Sequence, residues 1–179
     1  MKIKQLIVVF LLATTYYSCS KDDSTSPPSN LSFDLIGNWA LTDYHFNGTQ
    51  RTLSDINVSV ISFSATAWDI GVSSIFIESP NDYSNIGGYN LDVTVIDENG
   101  TEYYLPSHRQ VNEVGTWAQT NNFLGITIDE EIRQAAISEL SATTLKYSIN
   151  GSESFYDENN DLITILRTDY YTFTRDGSN

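Results

Sequence analysis

Length, composition and charge exclude several classes of protein. The chain has 179 residues, of which 40% are hydrophobic, so it can bury one core but is short for two domains. Its formal charge of −14 at pH 7 would repel the phosphates of nucleic acids and the headgroups of anionic lipids. We therefore predict one domain that does not bind nucleic acid. Any attachment to a membrane has to rest on something other than basic residues.

The first residues have the pattern of a secretory signal peptide. A positively charged start precedes an apolar run at residues 6–15, which is about half of the ~20 residues that a membrane-spanning helix needs. The next four residues, YYSC at 16–19, resemble a bacterial lipobox, although Tyr16 stands where leucine is usual. We predict a lipoprotein signal peptide at 1–18 and lipid attachment at Cys19. The alternative is an ordinary signal peptide in which this single cysteine is incidental.

The residues after the cysteine indicate where such a lipoprotein would reside. Ser20 to Asp23 resemble the acidic export signal of Bacteroidota lipoproteins. That resemblance implies lipid anchoring in the outer membrane, on its periplasmic or its cell-surface face. Without the signal peptide, seven basic residues against 23 acidic ones leave a charge of −16. A diacylglyceryl group could anchor even so acidic a chain, because stable anchoring needs more than one acyl chain but no basic patch. After the cysteine, the residues up to 31 are mostly polar and include two prolines. We therefore predict that 19–31 comprises the lipidated cysteine and a flexible tether.

Residues 32–179 have the pattern of one all-β domain. From about Phe33 to Arg175, β-branched and aromatic residues alternate with polar ones, as in strands with one buried and one exposed face. We count eight to ten such segments, which predicts an antiparallel up-and-down β-barrel. The turn signals expected to separate the strands are Asn47-Gly48, Gly87-Gly88, Asn99-Gly100, Asn150-Gly151 and the polar cluster Asp157 to Asp161.

The segment 129–140 is ambiguous between helix and strand. Its sequence, DEEIRQAAISEL, has good helix formers and an acidic start, which favour a short helix over one mouth of the barrel. The neighbouring strands are so close in sequence that a hairpin fits more easily. We predict a strand at Gln134 to Leu140 and keep the helix as the alternative.

The two ends of the predicted domain carry a family resemblance. The first strand contains Gly37-Asn38-Trp39, and the last one ends at Arg175. This pattern resembles that of lipocalins, and in particular the lipocalin-like domains of Bacteroidota lipoproteins. A further match is Gly115-Thr116-Trp117. The resemblance implies that Trp39 plugs the closed end of the barrel and that Arg175 lies across the indole, with Arg167 as the second choice. An open sandwich is the alternative fold.

The same resemblance implies a function. Lipocalin-like barrels hold small hydrophobic or amphiphilic ligands, and a monomer would suffice for that. Inward-facing aromatic side chains would line such a cavity, and the candidates are Trp68, Phe76, Tyr89 and Tyr147. The alternative is a barrel with a filled interior, which would serve as a structural or interaction module and present surface aromatics to a glycan or a protein partner.

The sequence contains no pattern of residues typical of an enzyme. The two histidines, His45 on the first strand and His108 in a predicted loop, have no spacing suited to a metal centre. Acidic pairs fall at predicted turns, where Asp is favoured for backbone reasons. Asp157, Asn159 and Asp161 have half the spacing of a calcium loop but lack its glycine and final glutamate, so a hairpin tip is the better interpretation. We predict no catalysis, no cofactor and no metal.

Overall fold

The structure, a computed structural model, describes residues 34–55 and 57–177. These residues form nine β-strands in one sheet: β1 (Gly37–Leu53), β2 (Val58–Trp68), β3 (Ser73–Phe76), β4 (Asp82–Ile96), β5 (Glu102–Thr120), β6 (Phe123–Ile128), β7 (Glu131–Leu140), β8 (Thr144–Tyr156) and β9 (Leu162–Arg175). No helix among them has the length and apolarity that crossing a membrane requires. The predicted signal peptide, Cys19 and the tether to residue 31 lie outside the described residues.

The strands close into a ring. Each strand pairs antiparallel with its neighbours, and β1 pairs with β9 from Trp39 opposite Arg175 to Leu53 opposite Leu162. The four-residue β3 lies between β1 and β4 at the end that β2 does not reach, so β2 and β3 share one position in the ring. The prediction of an all-β, up-and-down barrel with eight to ten strands is confirmed. The open-sandwich alternative is wrong, because all nine strands belong to one sheet.

The ambiguous segment is a hairpin arm. Asp129 and Glu130 adopt positive φ angles of 50° and 68° in the turn after β6, and β7 follows at once. Ala135, Ile137 and Leu140 are buried against the core. The predicted strand is therefore confirmed and the helix is wrong. Neighbouring strands on both sides outweigh the local helix propensity.

Three of the predicted turns are wrong, because Asn47-Gly48, Gly87-Gly88 and Asn150-Gly151 lie inside β1, β4 and β8. Two of these glycines allow a close approach instead of a turn. A Cβ atom on Gly48 would lie 2.5 Å from the ring of Phe63, and one on Gly87 would lie 2.0 Å from the carbonyl oxygen of Gly71. The remaining two signals, Asn99-Gly100 and Asp157 to Asp161, do separate strands.

The ring is complete at one end only. On the β6 side, β5 is paired only over Thr116 to Thr120, although the strand begins at Glu102. On the β7 side, β8 is paired only as far as Ile149, although it continues to Tyr156. Within the described residues, both strands thus keep a free edge beyond the short β6–β7 hairpin. We call the completed end, around Trp39, the base, and the other end the open half.

The core fills the base. Six large apolar side chains there are at most 1% exposed: Leu35, Trp39, Phe76, Leu124, Leu145 and Phe173. In the open half, side chains that face the interior of the barrel are nevertheless exposed, among them Tyr103 at 48% and Leu105 at 55%. The base therefore holds the barrel together, while the inner face of the open half is accessible to solvent.

Candidate functional site

Trp39 and Arg175 form the contact that covers the base. The indole is fully buried, and its Nε1 donates a hydrogen bond to the carbonyl oxygen of Leu35 at 2.8 Å. The Arg175 guanidinium lies over the indole ring, 4.2 Å from its centroid. It also donates hydrogen bonds to the carbonyl oxygens of Asp34, Ile36 and Ala142. One side chain thus connects the chain entering the barrel with the β7–β8 turn. The second choice, Arg167, lies instead over Phe46 in the middle of the barrel.

The interior of the base leaves no room for a ligand. Its cavity measures about 70 Å³, which is the volume of roughly two water molecules. Tyr147 is 4% exposed, and its ring packs against those of Tyr171 and Phe173 with centroids 4.8 and 5.5 Å away. Phe76 packs edge-on against Trp117 at 5.8 Å. The filled interior that the sequence left as an alternative is therefore present here.

A much larger space lies above the base on the same inner face. This inner cleft has a volume of about 590 Å³, within the usual range for sites that hold small molecules. Its wall combines apolar, aromatic and charged side chains: Tyr44, Phe46, Tyr89, Leu91, Val93, Ser107, Arg109, Glu113, Arg133, Arg167 and Tyr171. Four of them, Tyr89, Glu113, Arg133 and Tyr171, also line the small cavity and so separate it from the cleft.

One polar network on the cleft wall centres on Arg167. Its Nη2 donates to the hydroxyl oxygen of Tyr44, and that hydroxyl donates to Asp169 Oδ1 at 2.6 Å. Arg167 also forms an ion pair with Asp169 and lies 3.8 Å above the centre of the Phe46 ring. Burial raises the pKa of the Tyr44 hydroxyl, and the nearby Tyr171 and the hydrogen bond to Asp169 raise it further. Tyr44 is therefore a neutral donor in this network.

A second network lies at the boundary between cleft and base. Arg133 Nη1 on β7 is 2.6 Å from Glu113 Oε1 on β5, and this pair spans the intervening β6. Asn85 donates to the other oxygen of Glu113 at 3.1 Å and accepts from the Ser74 hydroxyl at 2.9 Å. The hydrogen bond to Glu113 raises the pKa of Arg133. These contacts hold two charged side chains in fixed positions at the bottom of the cleft.

The third arginine of the cleft is unpaired. Arg109 lies on β5 opposite Tyr89, and its exposed side chain has neither a hydrogen bond nor an ion pair to the part of the chain that the structure describes. Tyr89, Arg109 and Arg167 all line the same cleft.

No protein-family model matches the chain, and neither a curated protein nor a solved structure does so. The lipocalin resemblance therefore stays a prediction.

The predicted ligand-binding aromatics fall in three different places. Tyr89 is on the wall of the inner cleft, whereas Tyr147 and Phe76 are packed into the base. Trp68 is 51% exposed on the outer face, where its Nε1 donates to Asp92 at 3.2 Å, so the prediction that it faces inward is wrong. In β2 the side chains that face the interior of the barrel are those of Phe63, Ala65 and Ala67.

Sequence reasoning missed the arginines of the cleft. One signal could have found Arg167, because it has the same parity as Tyr171 and Phe173, which alternation already assigned to the inner face of the last strand. Arg109 likewise shares the parity of Trp117, and Arg133 that of Ile137, but the meeting of these arginines at one cleft depends on the register of β5 and β7, which the sequence does not reveal.

A second concavity lies on the outer face of the open half. This outer groove has a volume of about 610 Å³ and crosses β4, β2, β1, β9 and β8. Amide and hydroxyl side chains line it: Asn47, Thr49, Ser62, Ser64, Thr94, Asn150, Ser152 and Thr168. Apart from Arg167, every lining residue is uncharged. Its chemistry therefore differs from that of the inner cleft.

The histidines and acidic turns have local partners. His45 Nδ1 lies 3.0 Å from Asp43 on β1. His108 is in β5, opposite and hydrogen-bonded to Asn90 at 2.9 Å, so its predicted place in a loop is wrong. Asp157 accepts hydrogen bonds from the backbone of Asn159 and Asp161, as in a hairpin tip. Within the described ranges, no three His, Cys, Asp or Glu side chains converge as a metal centre would require.

Proposed function

We propose that this chain is a lipid-anchored protein of the cell envelope that binds one small amphiphilic molecule in the inner cleft. The observation that carries the proposal is the contrast within one barrel: a cleft of about 590 Å³ lies directly above an interior with about 70 Å³ of free space. The base is filled, and the space above it combines an apolar wall with fixed polar groups.

The two kinds of wall suit the two parts of an amphiphile. Phe46, Leu91 and Val93 form an apolar surface, against which each buried methylene of a ligand would contribute about 0.8 kcal/mol. Arginine and tyrosine side chains on the same wall can orient a polar head, and their networks hold them in place before a ligand arrives. A ligand of this kind would find both surfaces within one cleft.

The position of the base agrees with anchoring through Cys19. The described chain enters the barrel at the base, at Asp34, which is 15 residues after the cysteine. Fifteen residues span at most ~50 Å. A lipid on Cys19 would thus attach the barrel through its base, at the end opposite the open half.

A pair of tryptophan substitutions tests the cleft. Val93→Trp places an indole in it, whereas Val114→Trp adds the same ring at a position 65% exposed on the outer face of β5. We expect the first variant to weaken the binding of dansyl-undecanoic acid methyl ester at least about tenfold, and the second to leave it unchanged. The readout is dansyl fluorescence during titration. Equal affinity of both variants and the parent protein would contradict the proposal.

The outer groove favours a second candidate function, the binding of a neutral glycan. Its amide and hydroxyl groups match the hydrogen-bonding groups of a sugar, and Thr168 already donates to Asn150 at 2.8 Å. If this candidate holds, an array of neutral glycans gives binders whose affinity falls on Asn47→Ala and is unaffected by Val93→Trp. An array without binders would reject it.

A further inference from the structure

The inner cleft concentrates positive charge in an acidic protein. Six basic side chains lie within the described residues, and three of them, Arg109, Arg133 and Arg167, line this cleft. Glu113 is paired with Arg133 and Asp169 with Arg167. One positive charge therefore remains in excess in the cleft, although the chain as a whole has a formal charge of −14.

The excess charge is located on Arg109. The side chains opposite and diagonal to it on β4, Tyr89 and Leu91, carry no charge and line the cleft. A guanidinium group offers five donors in a planar fork, and within the described residues it has no acceptor for any of them. The geometry thus places an unused anion-binding group beside the apolar wall.

We infer that the ligand of the cleft is a monoanionic amphiphile of the fatty-acid type. Its carboxylate is held by Arg109, and its tail lies against Phe46, Leu91 and Val93. The inference rests on the proposed function, because it names the head group of the molecule which that function assigns to the cleft. A carboxylate matches the fork of a guanidinium through two parallel hydrogen bonds, which a neutral ester cannot form.

The acidity of the whole chain does not oppose this assignment. Charges separated by more than ~8 Å are largely screened at physiological salt, so a head group at Arg109 responds mainly to the cleft itself. There the two carboxylates are already paired with arginines, and Arg109 has no such partner among the described residues.

The test compares two probes that differ only at the head group, which is a carboxylate in dansyl-undecanoic acid and neutral in its methyl ester. Both are titrated into the full chain carrying Cys19→Ala, and into Val93→Trp and three arginine variants in that background. Arg109→Gln removes the charge, Arg109→Lys keeps it without the fork, and Arg51→Gln removes an equal charge from an exposed position on the outer face of β1. Circular dichroism checks that each variant keeps the β-sheet.

We expect the acid to bind the parent protein at least about tenfold more tightly than the ester, because one hydrogen bond between charged groups provides a ratio of that size. Arg109→Gln should abolish this preference, Arg109→Lys should keep part of it, and Arg51→Gln should not change it. Equal binding of acid and ester, or an unchanged preference in Arg109→Gln, overturns the inference. If the inference is overturned but Val93→Trp still weakens the binding of both probes, the proposed function stands without the inference. If neither probe binds the parent protein, the inference and the proposed function are both overturned.

Discussion

Replacing Arg175 by methionine should destabilise the barrel strongly, although this side chain is partly exposed. Methionine retains most of the length of the side chain but removes the guanidinium from above Trp39. It also removes three hydrogen bonds to the backbone carbonyls of Asp34, Ile36 and Ala142. The variant therefore separates the contribution of the charged group from that of simple packing.

The magnitude follows from the exposure of each contact. The bond to Ile36 is partly buried, and a hydrogen bond from a charged donor in such a place contributes about 1.5 to 3 kcal/mol. The bonds to Asp34 and Ala142 are exposed and contribute less, and the cation–π contact adds about 0.5 to 2 kcal/mol. We expect a loss of about 3 to 5 kcal/mol in the free energy of unfolding, or a fall of roughly 10 °C in Tm.

Denaturation by guanidinium chloride, followed by far-ultraviolet circular dichroism, measures this loss. Arg51→Met serves as the control, because it removes an exposed arginine from the outer face of β1 and should change stability by less than about 0.5 kcal/mol. Arg175→Lys should recover part of the loss, since it keeps the charge but not the planar fork. A loss in Arg175→Met no larger than that in Arg51→Met would refute the structural role of the contact.

Three further predictions concern the base, the buried tyrosines and the anchor. Gly37→Ala should lower the free energy of unfolding by about 1 to 3 kcal/mol, because φ is 130° there and the new Cβ would lie 2.7 Å from Arg175 Nη1. The loss should be smaller in an Arg175→Met background, and an equal loss in both backgrounds would contradict this contact. Burial raises the pKa of several tyrosines above the ordinary value of 10.0, so their stabilisation is complete below about pH 10 and is lost as the pH rises beyond it. Chemical denaturation at a series of alkaline pH values should then show a falling free energy of unfolding, with tyrosinate absorbance rising in step with unfolding, whereas a constant free energy would contradict the burial argument. Cys19→Ala should abolish palmitate labelling and move the protein from the membrane to the soluble fraction, and continued labelling would reject lipidation of this residue.

The fold could be predicted because apolar and polar residues alternate along every strand that has one buried and one exposed face. Ile126 and Ile128 in β6, and Tyr171 and Phe173 in β9, have the same parity in the sequence as in the core. Turns were harder to predict, because the dipeptides that permit a tight hairpin also permit a close approach between strands. Gly48 is in β1 for the second reason, since it lies against Phe63.

The candidate site was harder to predict than the fold, because it depends on pairing between strands distant in sequence. Residue type alone put Trp68 into a cavity, although its strand turns that position outwards. The same reasoning passed over Arg109, because a charged residue on a strand is ordinarily solvated and its place beside the cleft follows from the register of β5 against β4. The alternation of residues in the sequence shows which side chains of one strand share a face. Which residues of other strands lie beside that face depends on how the strands pair.

The cleft exists because one hairpin is short. β6 has six residues between partners of 19 and ten, so it completes the ring beside Trp117 but does not reach the part of β5 that carries Arg109. Longer strands at this position would pair the free edges of β5 and β8, close the open half and enclose the apolar wall of the cleft. The length of one hairpin therefore decides whether the barrel is a sealed core throughout or a filled base beneath an accessible cleft, and the proposed binding function depends on that difference.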